Sequence, residues 1–463
     1  MRAAAVHFST ALILLTTVLL SGCGSQSDDS RSQAASPPVT DATGEDDSGE
    51  AELPTDLSEP PMDDPAGGSA ASGNPFDQSA DAGPLLIPKD GIASDAPSFG
   101  PSSSGSRTVI RRSGETVDRH GFSPERVYFA TNRAPEVVPA AATDPDLYFS
   151  GQRGDLRFGS CEVSIPYRRQ PGELPEPSIL RLEFSQDPAK HVVLLEIAEL
   201  PEAAFWMELR AKVDASPDRQ LLIFVHGYCA TFRDAARRTA QIAYDLNYQG
   251  PSMFFSWPAG SDTESFADKA NYLKDLRRAE ESDDDLITVL EGISRYSGAT
   301  KVHLVAHSMG NFVLSEALKT LDDRRGGQPV TAMFDQVALA APDLDAREFV
   351  ERVGSRIKPF SRRFTVYAST GDKALAVSRS VNDFEPLGYL NNYTRTGAKQ
   401  NLFDLIDASQ LTTSWFDSGH IYYGDMPEML KDFGFVFRGI QAASLQRGLA
   451  ETPPLFRLPQ RSP

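Results

Sequence analysis

An α/β fold built on a mostly parallel sheet is what this sequence predicts from about Arg126 onward. Two observations carry that expectation. Short apolar runs alternate with segments of helical periodicity, the signature of strands joined by crossover helices. One of those runs, "KVHLVAH", passes through a serine flanked by small residues straight into the helical pattern "MGNFVLSEALKTL".

The elements follow in order. "RVYFATNR", "FGSCEVSIP", "SILRLEF" and "HVVLLEIAEL" are strand-like with no long helix between them, which predicts antiparallel strands and an edge extension. "EAAFWMELRAKVDA" is amphipathic and "QLLIFVHG" reads as a buried strand. In "ATFRDAARRTAQIAYDL", Thr231 with Asp234 three residues on predicts a capped helix start. Its Phe232, Ala235, Ala236, Ile242, Ala243 and Leu246 share one face, with Thr239 inside the stripe. The strand "SMFFSWP" precedes a polar-rich helical region from about Ser265 to Tyr296, in which Leu286, Val289, Leu290 and Ile293 repeat at helical spacing. After "KVHLVAH" and its helix come the strand "FDQVALAA", the helix "DAREFVERV", the strand "RFTVYAS", the helix "KALAVSRSV" and the strand "NLFDLID". "PEMLKDFGFVF" makes the last helix, and the Pro-rich tail beyond Arg447 reads as frayed. There is no internal repeat.

Before this region the texture differs. Residues 24–100 hold 16 Asp/Glu against 2 Lys/Arg, so most of the chain's net charge of −19 sits there. Pro, Ser, Gly and Asp dominate, and apolar side chains are too sparse to offset ordering entropy, which predicts a self-repelling spacer. The brief apolar patch "PLLIPKDGI" interrupts it. The acidity describes this spacer and not the folded part, and no basic stripe suited to nucleic acid is visible.

The first residues, "MRAAAVHFSTALILLTTVLLSGC", carry one positive charge, then an apolar run too short to span a bilayer, as in a signal peptide. Leu20-Ser21-Gly22-Cys23 resembles the lipobox of bacterial lipoproteins, which implies cleavage before Cys23 and acylation of that residue. Several acyl chains, each contributing ~0.8 kcal/mol per buried methylene, hold a protein firmly at a membrane. Gly24 after the cysteine leans towards an outer membrane. The expected layout is a lipoprotein signal peptide over 1–22, a disordered linker over 23–115, the folded α/β domain over 116–440 and a flexible tail over 441–463. The two remaining cysteines, Cys161 and Cys229, read as buried thiols, and no zinc-like spacing occurs.

The candidate chemistry centres on Ser308. At a sharp strand-to-helix turn one side chain stands above the sheet, and the residues two before and two after it must be small. Here those are Ala306 and Gly310. A serine hydroxyl needs a base within hydrogen-bonding reach, and at elbows of this kind the base follows the nucleophile along the chain. Of seven histidines, at 7, 120, 191, 226, 303, 307 and 420, only His420 does so. His307 reads as a packed elbow residue, His303 as core and His226 as a shaper of the turn after "FVHG". Two acids at strand ends can orient the imidazole, Asp372 and Asp343, with Asp417 a third candidate. Counting "LLIFVHG" as the third strand makes "RFTVYAS" the seventh, where the acid usually sits. Asp372 is therefore preferred and Asp343 is the fallback. The oxyanion hole needs two N–H donors, that of Met309 and one from Tyr228 or Cys229.

Taken together, "FVHGYCATFRDA", "FFSWPAG", "HLVAHSMGNFVLSEAL", "LAAPDLD", "YASTGDKAL" and "GHIYY" resemble a bacterial α/β-hydrolase family of unknown function, esterase- or lipase-like. "YFATNR" and "RFGSCEVSIP" resemble its N-terminal part, so the likeness covers about Arg126 to Phe437. It implies the α/β-hydrolase fold, a mostly parallel central sheet flanked by helices with a β-rich N-terminal extension. It also implies a presumed triad at Ser308, Asp372 and His420. Cys229 departs from the family pattern, in which Asn follows "HGY". The expected activity is that of a membrane-anchored serine hydrolase acting on a small-molecule carboxylic ester, with no metal or organic cofactor called for and no nucleic-acid partner. The weak lid signal, at most "AGSDTESFADKANYLKDL", favours soluble short-chain esters over bulk lipid. The rival from another class is a catalytically silent envelope protein using the fold as a binding or scaffolding module.

Overall fold

The computed structural model describes residues 108–112, 121–136, 143–178, 183–260, 269–411, 420–447, 449–452 and 455–458, all within the compact unit Ala80–Pro463. The signal peptide, Cys23, Asp417 and nearly all of the predicted linker lie outside the described residues.

Among the described residues, twelve strands form one sheet in the order β1-β4-β3-β2-β6-β5-β7-β8-β9-β10-β12-β11. In chain order they are β1 (Thr108–Arg111), β2 (Phe122–Pro135), β3 (Phe149–Pro166), β4 (Leu194–Leu200), β5 (Gln220–Val225), β6 (Ser252–Ser256), β7 (Lys301–His307), β8 (Gln336–Ala340), β9 (Phe364–Ala368), β10 (Asp404–Asp407), β11 (Ala450–Thr452) and β12 (Leu455–Arg457). The run from β2 through β12 is parallel. The first strands pair antiparallel, as expected of the β-rich extension.

The alternation of side chains along each central strand divides the core between the two faces. Leu221, Ile223 and Val225 of β5 join one core with Val302, Leu304 and Ala306 of β7, packed against helices α1 (Glu202–Ala215), α4 (Asp283–Tyr296) and α5 (Gly310–Arg324). Leu222 and Phe224 join the other, under α2 (Phe232–Asp245) and α8 (Pro427–Phe437). Covered on both faces, these strands have no room for polar alternation, which is why they read as unbroken apolar runs. Thr231 and Asp234 form the reciprocal cap expected of α2. In that helix Ala243 and Leu246 are only half-buried, while the Thr239 hydroxyl donates to Ala235 O at 2.7 Å.

Four features depart from the sequence reading. The region 265–296 holds two helices, α3 (Lys269–Glu280) and α4. Ser282 separates them: its hydroxyl turns back to Arg278 O at 2.6 Å and accepts from Asn132 Nδ2 at 3.0 Å. Asp283, Asp284 and Asp285 then occupy the first turn of α4, where the helix dipole favours acids. Second, β1 lies inside the predicted linker and pairs with β4. Third, the predicted flexible tail contributes β11 and β12, and β12 extends the sheet beside β10 with Leu455 buried. Fourth, α7 (Asn392–Lys399) was not anticipated; Asn391 and Thr394 cap it reciprocally. A further helix, α6 (Lys373–Asn382), follows β9 as expected. "SILRLEF" falls mostly outside the described residues, with Ser178, Glu183 and Phe184 in coil. Cys161 is buried, Cys229 is half-buried, and the two are unbridged. Among the described residues no helix is long and apolar enough to cross a membrane.

Candidate active site

The carboxyl ends of β5, β7, β8 and β9 lie side by side, so the segments leaving them meet at one edge of the sheet. Ser308 leaves β7 with φ of +51°, a left-handed backbone that a non-glycine residue adopts at a cost. Its N–H donates to Ala340 O at 3.0 Å, and Asn311 Nδ2 donates to its carbonyl at 2.9 Å, which pins the turn. The demand for small neighbours has a measurable cause. A Cβ at Gly310 would sit 2.3 Å from His226 O, and one at Gly227 would sit 2.7 Å from the Ser308 Cβ.

His420 and Asp372 come together with Nδ1 to Oδ2 at 2.8 Å, both side chains buried. The other Asp372 oxygen accepts from Leu375 N at 3.0 Å and caps α6, so one carboxylate is fixed from two sides. His420 and Ser308 line the same small pocket of about 10 Å³, with Tyr228, Tyr272 and Asp343.

Asp343 faces this pocket but its partners are hydroxyls. Ser378 Oγ donates to Oδ1 at 2.6 Å and Tyr272 OH to Oδ2 at 3.1 Å. Burial pushes its carboxyl above the usual range, and the two hydroxyls pull back against it. The acid bonded to the imidazole is Asp372.

His307 turns away from the pocket. Its ring stacks on Tyr423 with centroids 4.1 Å apart, and Nε2 donates to His420 O at 3.1 Å. That donation fixes the tautomer. Burial, followed by the neighbouring His420, holds the His307 ring well below the usual histidine range, so it stays neutral while anchoring the His420 backbone. His226 is also neutral, lowered to about 3 by burial and by Arg133. It stacks on Trp257 at 5.3 Å, and its Nε2 meets Ser256 Oγ at 3.2 Å. His303 is core, stacked on Phe437 at 4.8 Å.

For the oxyanion donors the structure narrows the choice. Met309 stands at the N-terminus of α5, where backbone N–H groups lack intrahelical acceptors. Cys229 does not serve: its N–H donates to Asp275 Oδ2 at 3.3 Å, and the same oxygen accepts from Gly260 N at 3.2 Å. Tyr228, which borders the Ser308 pocket, is left as the second candidate. Cys229 itself has φ of +56°, a left-handed conformation that Asn adopts more readily.

Two charged residues escaped the sequence reading. Arg133 is buried on β2, and its guanidinium donates to Ala230 O at 2.6 Å, Ala259 O at 2.8 Å and Ser256 Oγ at 2.8 Å. It thereby ties the loops after β5 and β6 together, and burial lowers it to about 9. Asp275 does the same from α3, bonded in turn by Arg278 at 3.1 Å. Arg133 closes the run "YFATNR", where no feature singles it out, and nothing local marks Asp275. Tyr272, also on α3, confirms that this segment borders the cleft; residues 261–268 lie outside the described residues.

No group of His, Cys, Asp and Glu suited to a metal ion occurs among the described residues. An elbow serine, a carboxylate-held imidazole and a helix N-terminus on a mostly parallel sheet define an α/β hydrolase in architecture. Residues 201–434, half of the chain, match the family model "Alpha/beta hydrolase of unknown function (DUF900)". The chain belongs to that family. Solved structures similar to it include a hydrolase described as CIB-like from Thermoplasma acidophilum, at 15% identity over 48% of this chain and 88% of that one, with a TM-score of 0.26. Est1E from Butyrivibrio proteoclasticus matches at 11% identity over 48% and 88%, with a TM-score of 0.29. An esterase from Pyrobaculum calidifontis matches at 9% identity over 61% and 81%, with a TM-score of 0.25. At such scores the family membership rests on the sequence match alone. No curated protein matches the chain.

Proposed function

We propose that this α/β hydrolase is a carboxylic-ester hydrolase working through Ser308, His420 and Asp372, and that it is membrane-anchored through lipid on Cys23. The observation that carries the catalytic reading is the 2.8 Å contact between His420 Nδ1 and Asp372 Oδ2 beside the strained turn of Ser308.

In this reading Ser308 Oγ attacks the ester carbonyl while His420 Nε2 takes its proton. Asp372 accepts from Nδ1–H, keeping the ring in the tautomer that leaves Nε2 basic and stabilising the imidazolium. The developing oxyanion receives the N–H groups of Met309 and Tyr228, each worth ~3 kcal/mol of barrier. Collapse breaks the C–O bond to the alcohol, which leaves with the proton from His420. Water, activated by the same base, then releases the acid and restores Ser308. No step calls for a metal or organic cofactor.

The test is hydrolysis of a panel of p-nitrophenyl esters by the folded protein. Ser308→Ala and His420→Ala should each lower kcat by about 10⁴-fold or more. A folded wild-type protein that hydrolyses none of them would favour the silent binding module. The anchoring rests on the Leu20–Cys23 sequence. Cys23→Ser should move the protein from the membrane fraction to the soluble one; an unchanged distribution would remove the anchor from the account.

A further inference from the structure

The pocket at Ser308, about 10 Å³, has room for little more than a water molecule, so both ends of an ester must extend beyond it. Two neighbouring spaces are available, and they differ in the charges they carry, acidic side chains alone in one and both signs in the other. One, of about 180 Å³, shares Tyr272 and Asp343 with the Ser308 pocket and is walled by Leu276, Phe312, Leu344, Phe349, Val353 and Phe384. The other, of about 360 Å³, shares Tyr228 and His420 with it and includes Arg237, Arg238, Glu176 and Asp234.

The position of the base decides which end goes where. His420 borders the larger space and not the smaller cavity. The leaving oxygen must lie within hydrogen-bonding reach of the imidazole that protonates it. The alcohol would therefore point into the larger space, and the acyl group past the Tyr272 ring into the smaller cavity.

The cavity also carries information about that acyl group. Its volume lies below the ~300–1,000 Å³ of sites for larger ligands, which limits it to a short chain. Its charged lining residues are Glu316, Asp343, Asp345 and Glu348, with no Lys or Arg, which disfavours an acyl group bearing a second carboxylate. Ser315 lines it, is 3% exposed, and its hydroxyl has no hydrogen-bond partner among the described residues. A buried hydroxyl left so costs ~1–3 kcal/mol unless something polar meets it. Ser308 sits in the turn before α5, and Ser315 lies five residues past its first residue, Gly310. Five residues of helix rise ~7.5 Å, so the matching polar atom belongs out along the chain and not beside the carbonyl.

We propose that this cavity is the acyl site, selecting a short acyl group without negative charge that carries an oxygen substituent near its end, met by Ser315. The inference rests on Ser308 being the nucleophile.

The experiment compares kcat/KM for p-nitrophenyl acetate, hexanoate, 5-oxohexanoate and dodecanoate across the wild type, Val353→Phe, Leu276→Phe and Ser315→Ala. Wild type should prefer hexanoate over dodecanoate, and 5-oxohexanoate over hexanoate, by about 10-fold, in the range that a pocket contact supplies. Either filling variant should lower the hexanoate-to-acetate ratio by about 10-fold or more. Leu276 is half-buried on α3, so its variant keeps the test open should the Val353 variant not fold. Ser315→Ala should bring the 5-oxohexanoate-to-hexanoate ratio towards one. If a fluorophosphonate labels Ser308 and acetate is cleaved, but the ratios are the same in all variants, the acyl-site assignment is wrong and the nucleophile stands. If Ser308 is not labelled and no ester is cleaved, both fall together.

Discussion

Asp372 and Asp343 follow the ends of the adjacent strands β9 and β8, yet their surroundings give them different chemistry. Asp372 bonds the imidazole and caps a helix, while Asp343 accepts from Tyr272 and Ser378. Asp372→Asn should therefore lower kcat by about 10⁴-fold, because the amide favours the wrong tautomer of His420. Asp343→Asn should cost far less, and steady-state kinetics on any accepted ester would reveal a reversed order. At this scale Ser308 and His420 are singled out by signals that are local or exclusive: small residues at fixed offsets, and the single histidine downstream. Asp372 is preferred over Asp343 only by counting strands, because the contacts that distinguish the two carboxylates come from distant elements. Likewise the pairing of the Cys229 N–H with Asp275 joins residues 46 positions apart.

At the scale of elements, most strands and helices read correctly because each carries its own pattern: apolar runs for strands covered on both faces, a cap and a stripe for α2. The misses share a cause. β1, β11 and β12 are three or four residues long and exist through pairing with β4 and β10, which no local composition reports. The break before α4 depends on Asn132 reaching Ser282 from β2. The same long-range logic makes Arg133 a test of how the loops around the site are held. Arg133→Met would leave the carbonyls of Ala230 and Ala259 without their donor, at ~1–3 kcal/mol each. Denaturant unfolding should show a loss of about 3 kcal/mol or more, and Arg133→Lys should recover only part of it, since one ammonium cannot span both loops. Equal stability of the Met variant and wild type would show that the guanidinium is dispensable.

Across the whole molecule, the two neutral histidines at the site make stability depend on pH. His226 is lowered to about 3 and His307 is also lowered, each mainly by burial. Unfolded, both would titrate near ~6.5. The unfolded chain then binds protons that the native protein refuses, so stability falls as pH drops below ~6.5, by up to ~1.4 kcal/mol per unit for each ring. Asp343 works in the opposite sense: its raised carboxyl makes the native state the better proton binder just above the ordinary carboxylate range, and that contribution is lost as pH rises. Unfolding free energies between pH 7 and 4 should decline towards acid, and His307→Gln should flatten the slope; an unchanged slope would mean that ring is not held neutral. The central claim, that the sheet edge turns the Ser308 hydroxyl into a nucleophile, is tested most directly by reacting the folded protein with a fluorophosphonate and locating the adduct by peptide mass spectrometry. The adduct should sit on Ser308, vanish in Ser308→Ala and form far more slowly in His420→Ala. A modified residue elsewhere, or a folded wild-type protein that stays unmodified, would contradict it.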